Sequence, residues 1–481
     1  MKYFNSYILV CICFLTINHC FSQLCNGDVV SLINNPECSN NEYLLVFEDN
    51  FDSTIVDENT WQFEYPWGRS LVENPEQQYY KSQNVEVNNG VLSLIAKRER
   101  VVRRAIPYDP DNKIIDDGYR NKRTFDFTSG MIFSKFNFGY GKYEIRCKIP
   151  KAKGMWPAFW LFEGPGKNEI DIFEFWNEHD LFGNVDFDKL ARVPNFNLHH
   201  EYSKGNVYNC ISDWNSDIDF SKKFHTFTLI WKPTYIEWYI DGQLKRRTTK
   251  YTSLSTQPIY CDNLKDFEPY LLNKAFPKKE YLHVIMNLAV QSNSNEPKSN
   301  SLPKSFDVDY FKFYKQVDCQ FVNNVNKVNE LLESIEPNAF NVAYTDSVEL
   351  FENLKIENTK LLVVSSKRLP EGFTNSDTDI NFKHYPEICN TKPKLSLEDR
   401  VSVFPNPSNG KITIQVDRQL CNSGKIYIIN PNGYSMNTIE IDEKSCEVKL
   451  DLSYLNQGVY NVLYIQESTG IPISKPLVII K

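Results

Sequence analysis

Short stretches rich in β-branched and aromatic residues follow one another from about residue 40 to residue 316. Examples are "GVLSLIA", "YGKYEIRCKI", "FHTFTLIWK" and "IEWYIDGQL". Turn sequences such as "NNG", "GYG" and "DG" separate them, and long amphipathic helical patterns are absent. This alternation is typical of strands joined by tight turns. Many short strands in one continuous region predict an all-β domain, a two-sheet sandwich or jelly roll.

The pattern changes twice after this region. Residues 317–400 are richer in Asn and Glu, and they predict one short helix around "VNKVNELLESI" followed by short strands. We interpret this part as a spacer that could form a small β-rich module. Residues 401–481 contain "FPNPSNG", "NPNG" and a last strand that ends at the final Lys. Their Asn-Gly and Asn-Pro turns predict a second, small β-sandwich domain of about seven strands.

The first 23 residues have the order of charge and apolar residues that is typical of a secretory signal peptide. A short N-terminal segment, residues 24–39, follows it. One Lys precedes an apolar stretch from about Tyr7 to Ile17, which is too short to span a membrane. No other stretch is long enough to span, so we expect a secreted or cell-surface protein without a transmembrane segment. Export permits disulfides. Cys147 is expected to be a buried free thiol, and proximity along the chain suggests the pairs Cys25–Cys38, Cys210–Cys261, Cys319–Cys389 and Cys421–Cys446.

Composition adds two constraints. Aromatic residues make up 14% of the 481 residues, and aromatic faces are surfaces on which sugar rings stack. The net charge of −8 argues against nucleic acid as a partner, because phosphate binding requires a basic surface. The basic segment "KRERVVRR" at 97–104 is the local exception. It could face a sulphated polysaccharide, or it could be a solvated hairpin of alternating charge, which we favour.

The segment "NEIDIFEFW" at 168–176 places three carboxylates on one apolar strand. A strand alternates faces with a period of two, so Glu169 and Asp171 share a face while Glu174 should point the other way. A single β-bulge between Asp171 and Glu174 inserts one residue and restores the face. We therefore predict a bulge that aligns all three acids in one groove, while Ile170 and Ile172 pack into the core.

Paired carboxyl groups on one face are the requirement for breaking a glycosidic bond. One carboxylate attacks or guides water, and the other donates a proton to the leaving oxygen. In a retaining enzyme they lie about 5–5.5 Å apart. Because three clustered carboxylates cannot all ionise cheaply, at least one pKa is raised and that group can act as an acid. We assign Glu169 as nucleophile and Glu174 as acid and base, with Asp171 tuning both. The alternative is a solvated edge strand.

"EIDIFE" resembles the E-x-D-x-x-E signature of glycoside hydrolase family 16, in its bulged, laminarinase-like form. The resemblance extends over about residues 40–316, through "GYGKYEIRCKIPKAKGMWPAFWLF", "FHTFTLIWKPTYIEWYIDG", "MNLAVQ" and "FDVDYFKFY". It implies a concanavalin-like jelly roll whose concave sheet binds sugar and retaining hydrolysis of internal β-glycosidic bonds. The resemblance also implies catalytic roles for Glu169, Asp171 and Glu174.

Further binding residues follow from the same resemblance. Trp156 and Trp160 match tryptophans that stack on sugar near the cleaved bond; for either one, packing in the core is the alternative. His199 and His200 lie where many laminarinases have a cleft histidine, and the choice between them stays open; we carry His200 forward as the substrate-binding prediction. His225 matches a family position and is expected to have a packing role.

Members of this family often carry a structural calcium on the convex side, and catalysis needs no cofactor. The matching positions are Asn50, Gly90 and Asp309. The first of these is often Glu in the family. An amide oxygen can still bind calcium but brings no charge, so the resemblance implies a weak site here.

The polysaccharide is less well defined by the sequence. "NPEQQYY", with Glu76 and Gln78, resembles a stretch common in laminarinases and favours β-1,3-glucan. The long segment 177–200 and the basic segment leave a red-algal galactan of the agarose, porphyran or carrageenan type as an alternative. A non-catalytic glycan-binding protein and a transglycosylase are two more.

The C-terminal region resembles the sorting domain of the type IX secretion system. "FPNPSNG", "NPNG", "LNQGVYNV" and the terminal strand occur in the family's order. The resemblance implies the type IX secretion machinery as a partner, passage through an outer membrane and removal of this domain at the cell surface.

Overall fold

The computed structural model places most of the residues that it describes in strands. It describes residues 43–71, 74–104, 122–163, 168–176, 189–203, 206–214, 216–251, 267–268, 272–291, 297, 299–317, 321–351, 354–365, 367, 379–384, 400–418, 420–421, 423–431, 433–442, 446–466 and 472–481. The predicted signal peptide and the segment 24–39 lie outside these ranges. No helix in the described ranges is long and apolar enough to cross a membrane.

Among its described residues, the first domain contains nineteen strands and two short 3-10 helices, Ser82–Asn84 and Ser299–Ser301. The strands are β1 Tyr43–Asp49, β2 Trp61–Gln62, β3 Gln78–Tyr80, β4 Val85–Asn88, β5 Val91–Arg104, β6 Lys122–Ser129, β7 Met131–Phe138, β8 Gly141–Lys148, β9 Met155–Phe162, β10 Asn168–Glu174, β11 Asn195–Ser203, β12 Asn206–Asp213, β13 His225–Trp231, β14 Tyr235–Ile240, β15 Gln243–Thr249, β16 Phe267–Glu268, β17 Leu272–Asn273, β18 Leu282–Val290 and β19 Lys304–Gln316.

Two large sheets form the body of this domain. The ten-stranded sheet runs β15-β14-β13-β8-β19-β5-β6-β3, with β1 beside β19 and β4 beside β5. The seven-stranded sheet runs β12-β11-β10-β9-β18-β7-β2 and contains the acidic strand β10 near its middle. Phe173 of β10 packs against Phe227 of β13, with ring centroids 4.5 Å apart, so the layer between the sheets is an aromatic core. The predicted all-β jelly roll is confirmed.

Residues 321–384 form a smaller unit of a different kind. Helix α1 (Val325–Ser334) begins after Asn324, whose side chain accepts a hydrogen bond from the backbone N–H of Lys327 at 3.0 Å. A 3-10 helix covers Val348–Leu350, and the parallel sheet β20 Phe340–Thr345, β21 Lys360–Ser365 and β22 Ile380–His384 follows. The predicted helix is present. The strands pair in parallel, and the 3-10 helix Val348–Leu350 lies in the connection between β20 and β21; the β-rich interpretation did not anticipate this pairing.

The described part of the C-terminal domain contains seven strands, in agreement with the prediction of about seven. They are β23 Val401–Phe404, β24 Lys411–Val416, β25 Ser423–Ile429, β26 Ser435–Asp442, β27 Glu447–Asp451, β28 Gly458–Gln466 and β29 Pro472–Ile479. A three-stranded sheet (β23-β24-β27) and a four-stranded sheet (β26-β25-β28-β29) enclose an apolar core. The predicted disulfide Cys421–Cys446 is formed. In the first domain Cys147 is free and buried, as predicted. The other predicted disulfides involve residues outside the described ranges.

Candidate active site

The acidic strand contains the predicted bulge. Along β11, Asp171 faces Asn197 and Glu174 faces Asn195, so three steps on β10 match two on β11. The register with β9 shifts at the same place, between Asp171 and Phe173. The extra residue turns Glu174 back to the face that carries Glu169 and Asp171. Ile170 and Ile172 are buried, as predicted.

Two side chains donate hydrogen bonds to backbone carbonyls of the bulged strand. The indole N–H of Trp238, on β14 of the opposite sheet, donates to the carbonyl oxygen of Asp171 at 2.9 Å. The side-chain amide of Asn195 donates to the carbonyl oxygen of Glu174 at 3.3 Å. An unpaired buried carbonyl would be costly, so these bonds hold the irregular strand in one conformation.

Glu174 is held by two donors. The indole N–H of Trp156 reaches one carboxylate oxygen at 3.0 Å, and the side-chain amide of Asn197 reaches the other at 2.7 Å. Burial, and after it the nearby charge of Asp171, raise the pKa of Glu174 to about 8. The two hydrogen bonds and His199 oppose that rise. At neutral pH the group therefore retains a proton that it can donate.

Glu169, Asp171 and His199 form a second group on the same face. Each offers a ligand or proton-binding atom within 4.8 Å of the others, which would also permit a shared cation. His199 Nε2 lies 3.2 Å from a carboxylate oxygen of Asp171, whose side chain is 1% exposed. Burial and the charge of Asp171 raise the pKa of Glu169, while His199 lowers it. Because the carboxylates are strongly coupled, their protons belong to the cluster rather than to single residues.

The predicted tryptophans differ in exposure. Trp156 is half-buried, and its ring stacks on Trp176 with centroids 6.1 Å apart and planes at 24°. Trp160 is 8% exposed and faces Asp171 in register. Trp176, 36% exposed, was not singled out from the sequence although it ends the acidic motif. Its exposure beside Trp156 is the feature that marks it as a sugar-stacking candidate.

The two adjacent histidines point to opposite faces of β11. His199 faces Glu169 in register and lies beside Asp171, whereas His200 faces Asn168 and is buried. By position His199 is therefore the histidine at the acids, and a sugar contact by His200 stays a prediction. His225 is buried and contacts Asp241 at 2.7 Å, in keeping with a packing role.

An aromatic wall and a buried acid flank Trp160. Tyr65 lies edge-on to Trp160 at 6.4 Å and stacks on Trp67 at 4.6 Å, and neither was recognised from the sequence. Glu76, from the "NPEQQYY" stretch, is 7% exposed. Burial raises the pKa of Glu76 to about 7, against hydrogen bonds that include one from Gln78. Glu76 is thus a buried residue next to the site and not a solvent-exposed acid.

Of the predicted calcium ligands, Asn50 directly follows β1, which belongs to the ten-stranded sheet. Gly90 is in the turn between β4 and β5 with a φ of +73°, and Asp309 lies on β19, which pairs with β5. The carboxylate of Asp309 is already paired with the guanidinium of Arg146. A calcium ion would have to compete with the Arg146 guanidinium for the Asp309 carboxylate, and the neutral Asn50 side chain would add no negative charge to attract the ion. The fit is poor, and calcium binding stays a prediction.

The basic segment lies on β5, which pairs with β6 in the ten-stranded sheet. The acidic strand β10 belongs to the other, seven-stranded sheet. Glu99 forms an ion pair with Lys81 at 2.8 Å, and Arg98 lies over the ring of Phe127 at 5.2 Å. Arg100 and Asp126 approach to 3.6 Å. This arrangement agrees with the favoured interpretation of a solvated hairpin of alternating charge.

The fold and the site together define a two-sheet β-sandwich with a carboxylate pair on a bulged strand, an arrangement that suits a glycosidase. Residues 73–265 match the family described as glycosyl hydrolases family 16, and residues 402–480 match the secretion system C-terminal sorting domain. The chain therefore contains a glycosyl hydrolase family 16 domain, followed by a sorting domain of the type IX secretion system.

Individual relatives are similar at low identity. Glucan endo-1,3-beta-glucosidase A1 of Niallia circulans is 26% identical over 299 residues, which are 56% of this chain and 38% of that protein. Glucan endo-1,3-beta-glucosidase of Cryptopygus antarcticus is 29% identical over 292 residues, 56% of this chain and 91% of that protein. The chain thus covers less than half of the first of these relatives.

Solved structures show a comparable coverage. The catalytic domain of an endo-1,3-beta-glucanase (laminarinase) from Thermotoga petrophila RKU-1 is 29% identical, with a TM-score of 0.43, and covers 58% of this chain and 100% of that chain. The endo-beta-1,3-glucanase from Pyrococcus furiosus is 26% identical, with a TM-score of 0.43, and covers 58% of this chain and 96% of that chain.

Proposed function

We propose that the first domain hydrolyses internal β-1,3-glucosidic bonds of a laminarin-like glucan with retention of configuration. The observation that carries the proposal is the bulge between Asp171 and Glu174, which places both candidate catalytic glutamates on one face of β10. Two carboxyl groups so arranged can divide nucleophilic attack and proton donation between them.

The reaction would proceed in two displacements. Glu169 attacks the anomeric carbon, the bond to the leaving oxygen breaks, and Glu174 gives that oxygen its proton. A covalent glycosyl-enzyme ester results. In the second step water attacks the same carbon, its proton passes to Glu174, and the ester bond to Glu169 breaks. Both residues return to their starting state.

The surroundings of the two glutamates support this assignment. Glu174 keeps its proton at neutral pH because burial raises its pKa to about 8. Burial raises the pKa of Glu169 as well; His199, which faces Glu169 in register, opposes that rise and favours the ionised carboxylate that attacks. Asp171, fixed between them through its backbone bond to Trp238, is suited to share a proton with Glu169.

The substrate assignment depends on two supports. The relatives named above are glucan endo-1,3-beta-glucosidases, and the "NPEQQYY" stretch of this chain has a laminarinase-like sequence. Trp156 and Trp176 form an aromatic pair beside Glu174 on which the apolar face of a glucose ring can stack. Neither Asn50 nor Asp309, of the predicted calcium site, takes part in the reaction.

A substrate panel tests the proposal. Laminarin, mixed-linkage glucan, agarose, porphyran and carrageenan are incubated with the protein and with Glu169→Gln, and new reducing ends are counted. We expect release from laminarin by the wild type alone, with the β-anomer appearing first by proton NMR. Release from a galactan but not from laminarin would replace the substrate assignment. Binding of laminarin without any reducing ends would support a non-catalytic glycan-binding protein.

The sorting domain supports export. We propose that residues 401–481 address the chain to the type IX secretion machinery, which would place the hydrolase outside the cell or on its surface, where polysaccharides are met. Deletion of 401–481 in a host with that machinery should leave the protein inside the cell envelope. Unchanged secretion of the truncated chain would contradict this assignment.

A further inference from the structure

Trp160 is tied to Glu76 by a continuous chain of buried hydrogen bonds. The indole N–H of Trp160 donates to the side-chain oxygen of Asn287 at 2.8 Å. The side-chain amide of Asn287 donates to the hydroxyl of Tyr80 at 2.9 Å. The hydroxyl of Tyr80 points to the carboxylate of Glu76 at 3.5 Å, the longest of the three contacts.

All three donors point the same way, from the indole towards the carboxylate. Hydrogen bonds that share one direction polarise each other, and a negative group at the accepting end strengthens the series. Tyr80 is 0% exposed and Asn287 is 4% exposed, so water does not compete for these groups. The carboxylate thus influences an indole three side chains away.

The accepting end is itself held in place. The side-chain amide of Gln78 donates to Glu76 at 2.6 Å, and that of Asn74 donates at 3.2 Å. The side-chain oxygen of Gln78 in turn accepts the backbone N–H of Val290 at 2.7 Å, which fixes it to β18. A buried carboxylate with this many donors is an anchor rather than a surface charge.

Apolar packing alone does not determine how the Trp160 ring is turned. Phe162 and Tyr65 contact the ring at centroid distances of 4.9 and 6.4 Å. The torsion that turns an indole about its last bond is broad, so two ring orientations could satisfy such contacts. The hydrogen bond to Asn287 selects one of them.

We propose that Glu76, Tyr80 and Asn287 are positioning residues, which fix the orientation of the Trp160 indole beside Asp171 for sugar cleavage. The inference rests on the proposed function, because it assigns these residues a role in that reaction. Trp160 faces Asp171 in register, so a turned ring would displace a sugar bound against it from the attacking carboxylate. Small displacements of this kind lower the rate of the chemical step.

Tyr80→Phe tests the relay by removing only the hydroxyl, and Tyr79→Phe is the matched control on the same strand. With ¹⁵N-labelled tryptophan in the full chain, the indole signal of Trp160 is identified by its loss in Trp160→Phe. We expect Tyr80→Phe and Asn287→Ala to shift this signal, and Tyr79→Phe to leave it unchanged. With laminarin, we expect Tyr80→Phe to lower kcat about tenfold with KM changed less than threefold.

The outcomes separate the relay from the proposed function. An unchanged Trp160 signal in both Tyr80→Phe and Asn287→Ala overturns the relay. A shifted signal with unaltered kcat and KM overturns the positioning role. If the wild type cleaves no glucan but the signal shifts as expected, the proposed function fails while the relay stands. Tyr80→Phe and Asn287→Ala interrupt the series of hydrogen bonds at two different residues, so the test still works if one of the two variants does not fold.

Discussion

Two glutamates on strands of the same domain show how burial changes what a carboxylate can do. Glu174 on β10 is surrounded by Trp156, Asn197 and a second acid, and burial raises its pKa to about 8. Glu99 on β5 is bound to Lys81 and Thr128, and these hydrogen bonds hold its pKa below the ordinary value. Desolvation dominates the first case and a cationic partner the second.

The comparison explains why density of charge is a poor guide to function. The segment around Glu99 has more charged residues than the acidic motif, yet its charges are partly exposed and neutralise one another. The basic group beside the acids of β10 is His199, and these acids lie in a partly buried aromatic setting. A proton held at neutral pH arises only where charges are crowded and poorly solvated.

The largest effect should come from removing the carboxylate that attacks. Glu169→Gln preserves shape and hydrogen bonding but cannot form the ester, so we expect hydrolysis of laminarin to fall by about 10³-fold or more. Glu99→Gln is the matched change on β5 and should alter the rate by less than about twofold. Reducing-end assays on both proteins measure the contrast. Comparable losses in the two variants would contradict the division drawn above.

The next effect concerns pH. Glu174 must be protonated to donate, so the rate should fall as the pH rises through about 8, the raised pKa of this group. The amide of Asn197 stabilises the ionised form and thereby lowers that pKa. Asn197→Ala should therefore move the alkaline fall of kcat/KM to higher pH and lower the maximal rate by about tenfold.

Asn195→Ala provides the control for this prediction. The Asn195 amide contacts the backbone carbonyl of Glu174 rather than its carboxylate. Its removal should leave the alkaline limb in place, even where the rate changes. An alkaline limb that moves to lower pH in Asn197→Ala would contradict the assignment of Glu174 as the acid.

A smaller change is expected at the support of the bulge. Trp238→Phe keeps an aromatic ring in the core but leaves the carbonyl of Asp171 without its 2.9 Å donor. A buried unsatisfied carbonyl costs about 1–3 kcal/mol, and we expect that loss in the free energy of unfolding by urea. Trp231→Phe is the comparison, since no hydrogen-bond partner of this buried indole lies among the described residues. Equal losses in both variants would show that ring size, rather than the bond to the bulge, matters.

The bulge itself could be read from sequence because its signal is local. Acids at spacings of two and three on an apolar strand cannot share a face without an extra residue. Trp238 and Asn197 could not be found in this way. Trp238 reaches Asp171 across the two sheets, from 67 positions away, and such contacts depend on how the sheets align. Strand alternation predicts that His199 and His200 lie on opposite faces of β11. It does not predict which of the two faces carries the acids.

The smallest effect is expected on the hairpin. Lys81 and Glu99 are paired at 2.8 Å, with 24% and 40% of their side chains exposed. We expect Lys81→Met to lower the free energy of unfolding by less than about 1 kcal/mol and to leave hydrolysis within about twofold. Because pairing lowers the pKa of Glu99, its contribution is present at neutral pH and is lost as the pH falls through that lowered value. Urea unfolding of both proteins at neutral and at strongly acidic pH measures the difference, which should vanish in acid. A difference that grows in acid would mean that Glu99, like Glu174, is governed by burial.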